Sequence, residues 1–92
     1  MSMTRASLLI SGRVQGVAFR HHSSQFARNQ GVKGWVRNLP SGEVEALLEG
    51  DREAVRRVID WCQHGPPAAS VSEVKIEWGT FRGEFLDFVI RR

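Results

Sequence analysis

The sequence predicts an α/β chain of the α+β sandwich type, with elements in the order β-α-β-β-α-β and a short C-terminal strand. Three observations carry that expectation. Several stretches alternate apolar and polar residues with period two, as half-buried strands do. Two stretches free of Pro and Gly, His21 to Gln30 and Asp51 to Cys62, space their apolar residues as helices do. Between them, Pro40-Ser41-Gly42 places proline early and glycine late, the order of a tight hairpin turn.

The first strand spans residues 7–13, with Leu8 and Ile10 on one face and Leu9 and Ser11 on the other. A glycine-containing connection then leads into the His21 to Gln30 helix. Its apolar stripe is thin: Phe19, Phe26 and Ala27, with Ser23 and Gln30 completing the spacing. Gly31 stands where a helix stops in the left-handed conformation. Val32 to Leu39 is the second strand and Glu43 to Glu49 the third, so the two form a hairpin. In the third strand Val44, Ala46 and Leu48 face the core, and Glu43, Glu45 and Glu49 face water. A slip of one residue would bury the glutamates, which fixes the register.

Asp51 is placed to cap the second helix, with Glu53 in its first turn. Ala54, Val55, Val58, Ile59 and Cys62 form the inward stripe, while Arg52, Arg56, Arg57 and Asp60 face out. Gly65-Pro66-Pro67 lies beyond its end. Val71 to Trp78 alternates again, with Val74, Ile76 and Trp78 inward. Thr80 to Gly83 is a turn, and Phe85 to Ile90 is the last strand. This order is the ferredoxin-like arrangement of two split βαβ units, an antiparallel sheet with both helices on one face.

Ninety-two residues with 41% apolar content make one domain, residues 1–92, able to bury roughly 60–65% of its unfolded surface. The lone cysteine, Cys62, permits no internal disulfide and is expected as a buried thiol. With no secretory h-region and no membrane-length apolar run, the expected compartment is the cytoplasm. A monomer is expected, with no membrane partner. The charge layout is asymmetric. Residues 1–42 hold six Lys and Arg and no Asp or Glu, whereas residues 43–92 hold seven against ten carboxylates. The first part is therefore +6 and the second −3. An anionic ligand is favoured, and the basic part has no carboxylate for Mg²⁺ or Ca²⁺. His21 and His22 are helix neighbours, so they point about 100° apart and cannot close on one metal ion.

The stretch Ser11 to Arg20 is the functional focus. A strand-to-helix turn with Gly12 and Gly16 can aim several backbone N–H groups into one concavity, to which the helix start adds partial positive charge. Arg20 brings a guanidinium able to grip two oxygens. The pattern is neither a Walker A loop nor a dinucleotide fingerprint, and by spacing alone an ordinary βα connection fits it as well. Topology adds a partner. In a split βαβ unit the first two strands run in the same direction, so Asn38, at the end of the second, lies beside the turn that leaves the first. A side-chain amide there can hold a water or simply cap the hairpin.

The segments Gly12-Arg13-Val14-Gln15-Gly16-Val17-Ala18-Phe19-Arg20 and Gly34-Trp35-Val36-Arg37-Asn38, followed by Gly42-Glu43-Val44-Glu45-Ala46, resemble the acylphosphatase family, and the resemblance extends over nearly the whole chain. It implies a ferredoxin-like sandwich that hydrolyses the carboxyl–phosphate bond of small acyl phosphates, an acylphosphate phosphohydrolase with no metal and no cofactor. It further implies that Arg20 and the backbone N–H groups of Gln15, Gly16, Val17, Ala18, Phe19 and Arg20 bind the phosphate. Asn38 would orient the attacking water. Inorganic phosphate would be both product and competitive ligand. One departure is Ala18, where the family usually has a third glycine; if that position needs φ > 0, alanine costs roughly 1 kcal/mol.

Two other readings are a ferredoxin-like nucleic-acid-binding module and a non-catalytic anion-binding module. A sequence pI near 10 suits the first. Against it, no strand carries an RNP1-like run of aromatics, and no nucleic-acid partner is expected.

Overall fold

Seven elements follow one another in the computed structural model, which describes residues 2–92: β1 (Met3–Arg13), α1 (Phe19–Asn29), β2 (Lys33–Asn38), β3 (Val44–Asp51), α2 (Arg52–Cys62), β4 (Ser70–Gly79) and β5 (Phe88–Arg91). They build a five-stranded sheet in the order β4-β1-β3-β2-β5. The first four strands pair antiparallel, while β5 pairs parallel to β2, so the sheet is mixed rather than wholly antiparallel.

Period-two patterning explains the core. Ile10 lies opposite Val44, Leu8 opposite Ala46 and Ala6 opposite Leu48, and Val36 meets Ala46 from the other side. All seven are buried on the helix-facing side. There α2 packs over β1 and β3, and α1 over β2 and β5. The inward stripe of α2 is buried throughout, from Ala54 to Cys62. Burying one Val or Leu contributes about 1.5–3 kcal/mol, so this shared face is what holds the layers together. In α1 the stripe is Phe19, Ser23, Ser24 and Ala27, with Phe26 only partly buried. The two buried serines satisfy their hydroxyls locally, Ser23 donating to Arg20 O and Ser24 to His21 O.

Several expectations need correction at their edges. The first strand begins at Met3 rather than residue 7, and α1 begins at Phe19 rather than His21. The second strand is shorter than Val32 to Leu39. Gly31 does end α1 with a left-handed φ of 74°. Asp51 does sit at the N-cap of α2, but its side chain makes no cap bond, and Arg52 N donates instead to Ser2 O.

Three differences are larger. Ile76 and Trp78 share the face of Leu8 and Ala6, yet both are exposed, because β4 is an edge strand beyond the reach of the helices. The last strand starts at Phe88, not Phe85, and residues 80–87 form an irregular strap instead of a turn and strand. Glu49, expected in water, is only 2% exposed. It does lie on the sheet face away from the helices, but the strap covers it there. Arg82 N and Gly83 N donate to its carboxylate, and Arg5 Nη1 donates to it at 3.0 Å.

Candidate active site

β1 ends in a bulge, where its register with β4 shifts between Ser11 and Gly12. A bulge bends its strand and redirects the chain beyond it. The connection 14–18 is then pinned from below by two buried valines, Val14 and Val17. Between them Gly16 turns outward with φ 73°, and a Cβ there would meet nothing within 4 Å. Glycine is needed at this position for its backbone angle, and the space beside it is open. Ala18 also takes the left-handed conformation, at φ 62° and ψ 27°. It is the only residue other than glycine with positive φ among the described residues.

Phe19 then enters the core and meets Trp61 edge to face, with ring centroids 5.5 Å apart. That contact fixes the start of α1. No side chain caps this helix, and its first turn holds no acidic residue. Its leading N–H groups are thus left for an external acceptor, with the helix dipole behind them.

A cavity of about 620 Å³ opens over this turn, with Gly16, Ala18, Phe19 and Arg20 on one side and Asn38 on the other. Asn38 closes the β2–β3 ladder, paired with Val44. Because β1 and β2 both run antiparallel to β3, their C-terminal ends share one edge of the sheet, and there the turn and Asn38 meet. The Oδ1 atom of Asn38 is buried and has no hydrogen-bond partner within the protein. Buried acceptors are nearly always satisfied. Asn38 lines the cavity, so its unpaired acceptor marks it as a candidate to take a donor that arrives with the ligand or solvent.

The sequence-predicted residues divide into two groups. Gly16, Ala18, Phe19, Arg20 and Asn38 line the cavity together. Gln15 and Val17 do not: the Val17 side chain is in the core, and Gln15 reaches away toward the hairpin. Four lining residues were missed, Val14, His21, Ile90 and Arg92. The Arg91-Arg92 pair is visible in the sequence, but nothing local says that a strand parallel to β2 carries it to this edge. None of the lining residues is Asp or Glu, and two are arginines, Arg20 and Arg92, so the lining side chains are net cationic. No group of three or more His, Cys, Asp and Glu is placed to hold a metal ion among the described residues.

Comparison with known proteins agrees with this construction. A family model described as Acylphosphatase matches residues 6–90. A curated acylphosphatase of Pelotomaculum thermopropionicum is 50% identical over 90 residues, covering 98% of both chains. One of Anaeromyxobacter dehalogenans is 54% identical over 87 residues, covering 95% of this chain and 94% of the relative. A solved acylphosphatase from Coxiella burnetii superposes with a TM-score of 0.91 at 36% identity, covering 97% of this chain and 93% of that one. The full-length match, the matching fold and the two walls of the cavity lead to one conclusion: the chain belongs to the acylphosphatase family.

Proposed function

We propose that this acylphosphatase works by dividing its task between two walls: Arg20 with the backbone amides of the 15–20 turn, of which Gly16, Ala18, Phe19 and Arg20 line the cavity, holds the phosphoryl group, and Asn38 holds the attacking water. One observation carries the proposal. Arg20 and Asn38 come from separate elements, yet they line the same cavity, and the buried Asn38 acceptor has no partner within the protein. The nucleic-acid and non-catalytic alternatives are not favoured, since curated relatives at about 50% identity over nearly the full chain are acylphosphatases.

The chemistry fits this inventory. A carboxylate is a good leaving group, so the acyl oxygen needs no protonation to depart. Charge in a loose phosphoryl-transfer transition state spreads over the three equatorial oxygens, and these need donors. The Arg20 guanidinium and the amides supply them. A water donating one hydrogen to Asn38 Oδ1 keeps a lone pair directed at phosphorus, opposite the acyl oxygen. The water oxygen bonds to phosphorus as the bond to the acyl oxygen breaks, giving carboxylate and inorganic phosphate. An amide is too weak a base to take the proton, and no Asp or Glu lines the cavity. On this reading the proton passes to a phosphate oxygen of the substrate itself. No step on this reading calls for a metal ion.

The reading extends to a monomer acting in the cytoplasm, without nucleic-acid or membrane partners. The free, buried Cys62 suits a reducing compartment, and no helix among the described residues is long and apolar enough to cross a membrane. Benzoyl phosphate hydrolysis tests the activity directly. Arg20→Ala is expected to abolish both turnover and inhibition by inorganic phosphate. If inhibition by phosphate survives the substitution, Arg20 does not hold the phosphoryl group.

A further inference from the structure

We infer that the Gln15 side chain is a positioning residue that sets the gap between the phosphate cradle and Asn38; the inference rests on the water-holding role proposed for Asn38. Gln15 immediately precedes Gly16, which lines the cavity on one wall. Its Nε2 crosses to the hairpin and donates to Leu39 O at 2.8 Å and to Glu43 O at 2.9 Å. Leu39 immediately follows Asn38, which lines the other wall. One planar amide thus uses both its N–H bonds to join the backbone beside one wall to the backbone beside the other.

Those two bonds are not there to satisfy otherwise orphaned carbonyls. Leu39 O already accepts from Gly42 N at 3.1 Å, and Glu43 O from Leu39 N at 2.8 Å. The hairpin turn is closed without Gln15. What Gln15 adds is a constraint between separate elements, at the point where the β2–β3 ladder has just ended at Asn38 and Val44. Asn38 needs such a constraint. Its Oδ1 has no partner in the protein, so no internal bond at that atom holds the carboxamide in place. Its position depends on the backbone at 38–39, and Gln15 ties that backbone to the phosphate turn. A displacement of about 1 Å between reacting groups can cost as much as 10²-fold in rate.

Gln15→Met keeps the length of the side chain and removes both donors. Measured with benzoyl phosphate, it is expected to lower kcat about 10-fold, while the inhibition constant for inorganic phosphate stays within about threefold. In an Asn38→Ala background, the same substitution should change kcat by less than about threefold, because the group it positions is gone. An equal loss in both backgrounds would overturn the inference, as would an unchanged kcat or a phosphate inhibition constant that rises in step with the loss. An Asn38→Ala enzyme with undiminished kcat would instead sink the role of Asn38 itself, and the inference with it. Should Gln15→Met not fold, Gln15→Leu is read the same way, since it too lacks both donors and adds no charge beside the phosphate turn.

Discussion

Ala18 pays a conformational cost at the position that shapes the site. An L-residue with a Cβ in the left-handed region costs about 1–2 kcal/mol, whereas glycine takes that region freely. Glycine would return about 0.4–1 kcal/mol of this through its looser unfolded chain. Ala18→Gly is therefore expected to stabilise the fold by about 0.5–1 kcal/mol in urea unfolding, and a loss of stability would mean that φ 62° is not strained there. This residue was readable in the sequence, because a glycine is usual at its place in the family motif. Two features beside it were not. The missing partner of Asn38 Oδ1 and the reach of Gln15 depend on where a side chain finds an acceptor 24 residues away, and motif spacing carries no such information. Cys62 was readable, since it falls on the α2 stripe; burial pushes its thiol up to about 12, which leaves no thiolate to act as nucleophile.

At the scale of elements, period-two alternation told which residues share a face but not what covers that face. Val74, Ile76 and Trp78 do lie on the helix side; that β4 is an edge strand follows only from the sheet order. The strap 80–87 left no signal because its hold on the sheet runs through contacts distant in sequence, its backbone N–H groups bonding to Glu49 and its Glu84 pairing with Arg5. Burial alone would push the Glu49 carboxyl up. Hydrogen bonds from Arg82 N and Arg5 to its ionised form outweigh burial and hold it below the usual carboxylate range. A carboxyl depressed in the folded state stabilises the fold above its unfolded value and loses that contribution as pH falls through its folded value. Between pH 6 and pH 3 the wild type should thus lose more stability than Glu49→Gln. At pH 7 the variant should be less stable by about 1–3 kcal/mol, the worth of hydrogen bonds to a buried charge. Thermal melts across that range check both, and parallel pH profiles would show that Glu49 is not the group responsible.

The whole molecule brings the site together through topology. A split βαβ unit puts the C-terminal ends of β1 and β2 at one edge, which the order of elements was enough to foretell. The fifth strand was not foretold in its pairing: parallel addition of β5 beside β2 carries Ile90 and Arg92 to the same cavity. Charge is arranged on the same scale, with a net +6 in residues 1–42, which supply all but two of the lining residues. Such a field draws an anionic substrate in and is screened over about 10 Å at 0.1 M salt. Raising the ionic strength is expected to lower kcat/KM for an acyl phosphate while kcat holds. A kcat/KM indifferent to salt would show that the basic part does not steer substrate.

The division of labour between the two walls is tested most directly by Asn38→Ala, assayed for kcat and for inhibition by inorganic phosphate in the same preparation. Loss of one positioned polar group in a preorganised site costs about 10²–10³ in rate. The expected result is a fall in kcat of that size with the phosphate inhibition constant unmoved. A variant that turns over acyl phosphate at the wild-type rate, or one that loses phosphate binding along with its activity, would contradict it.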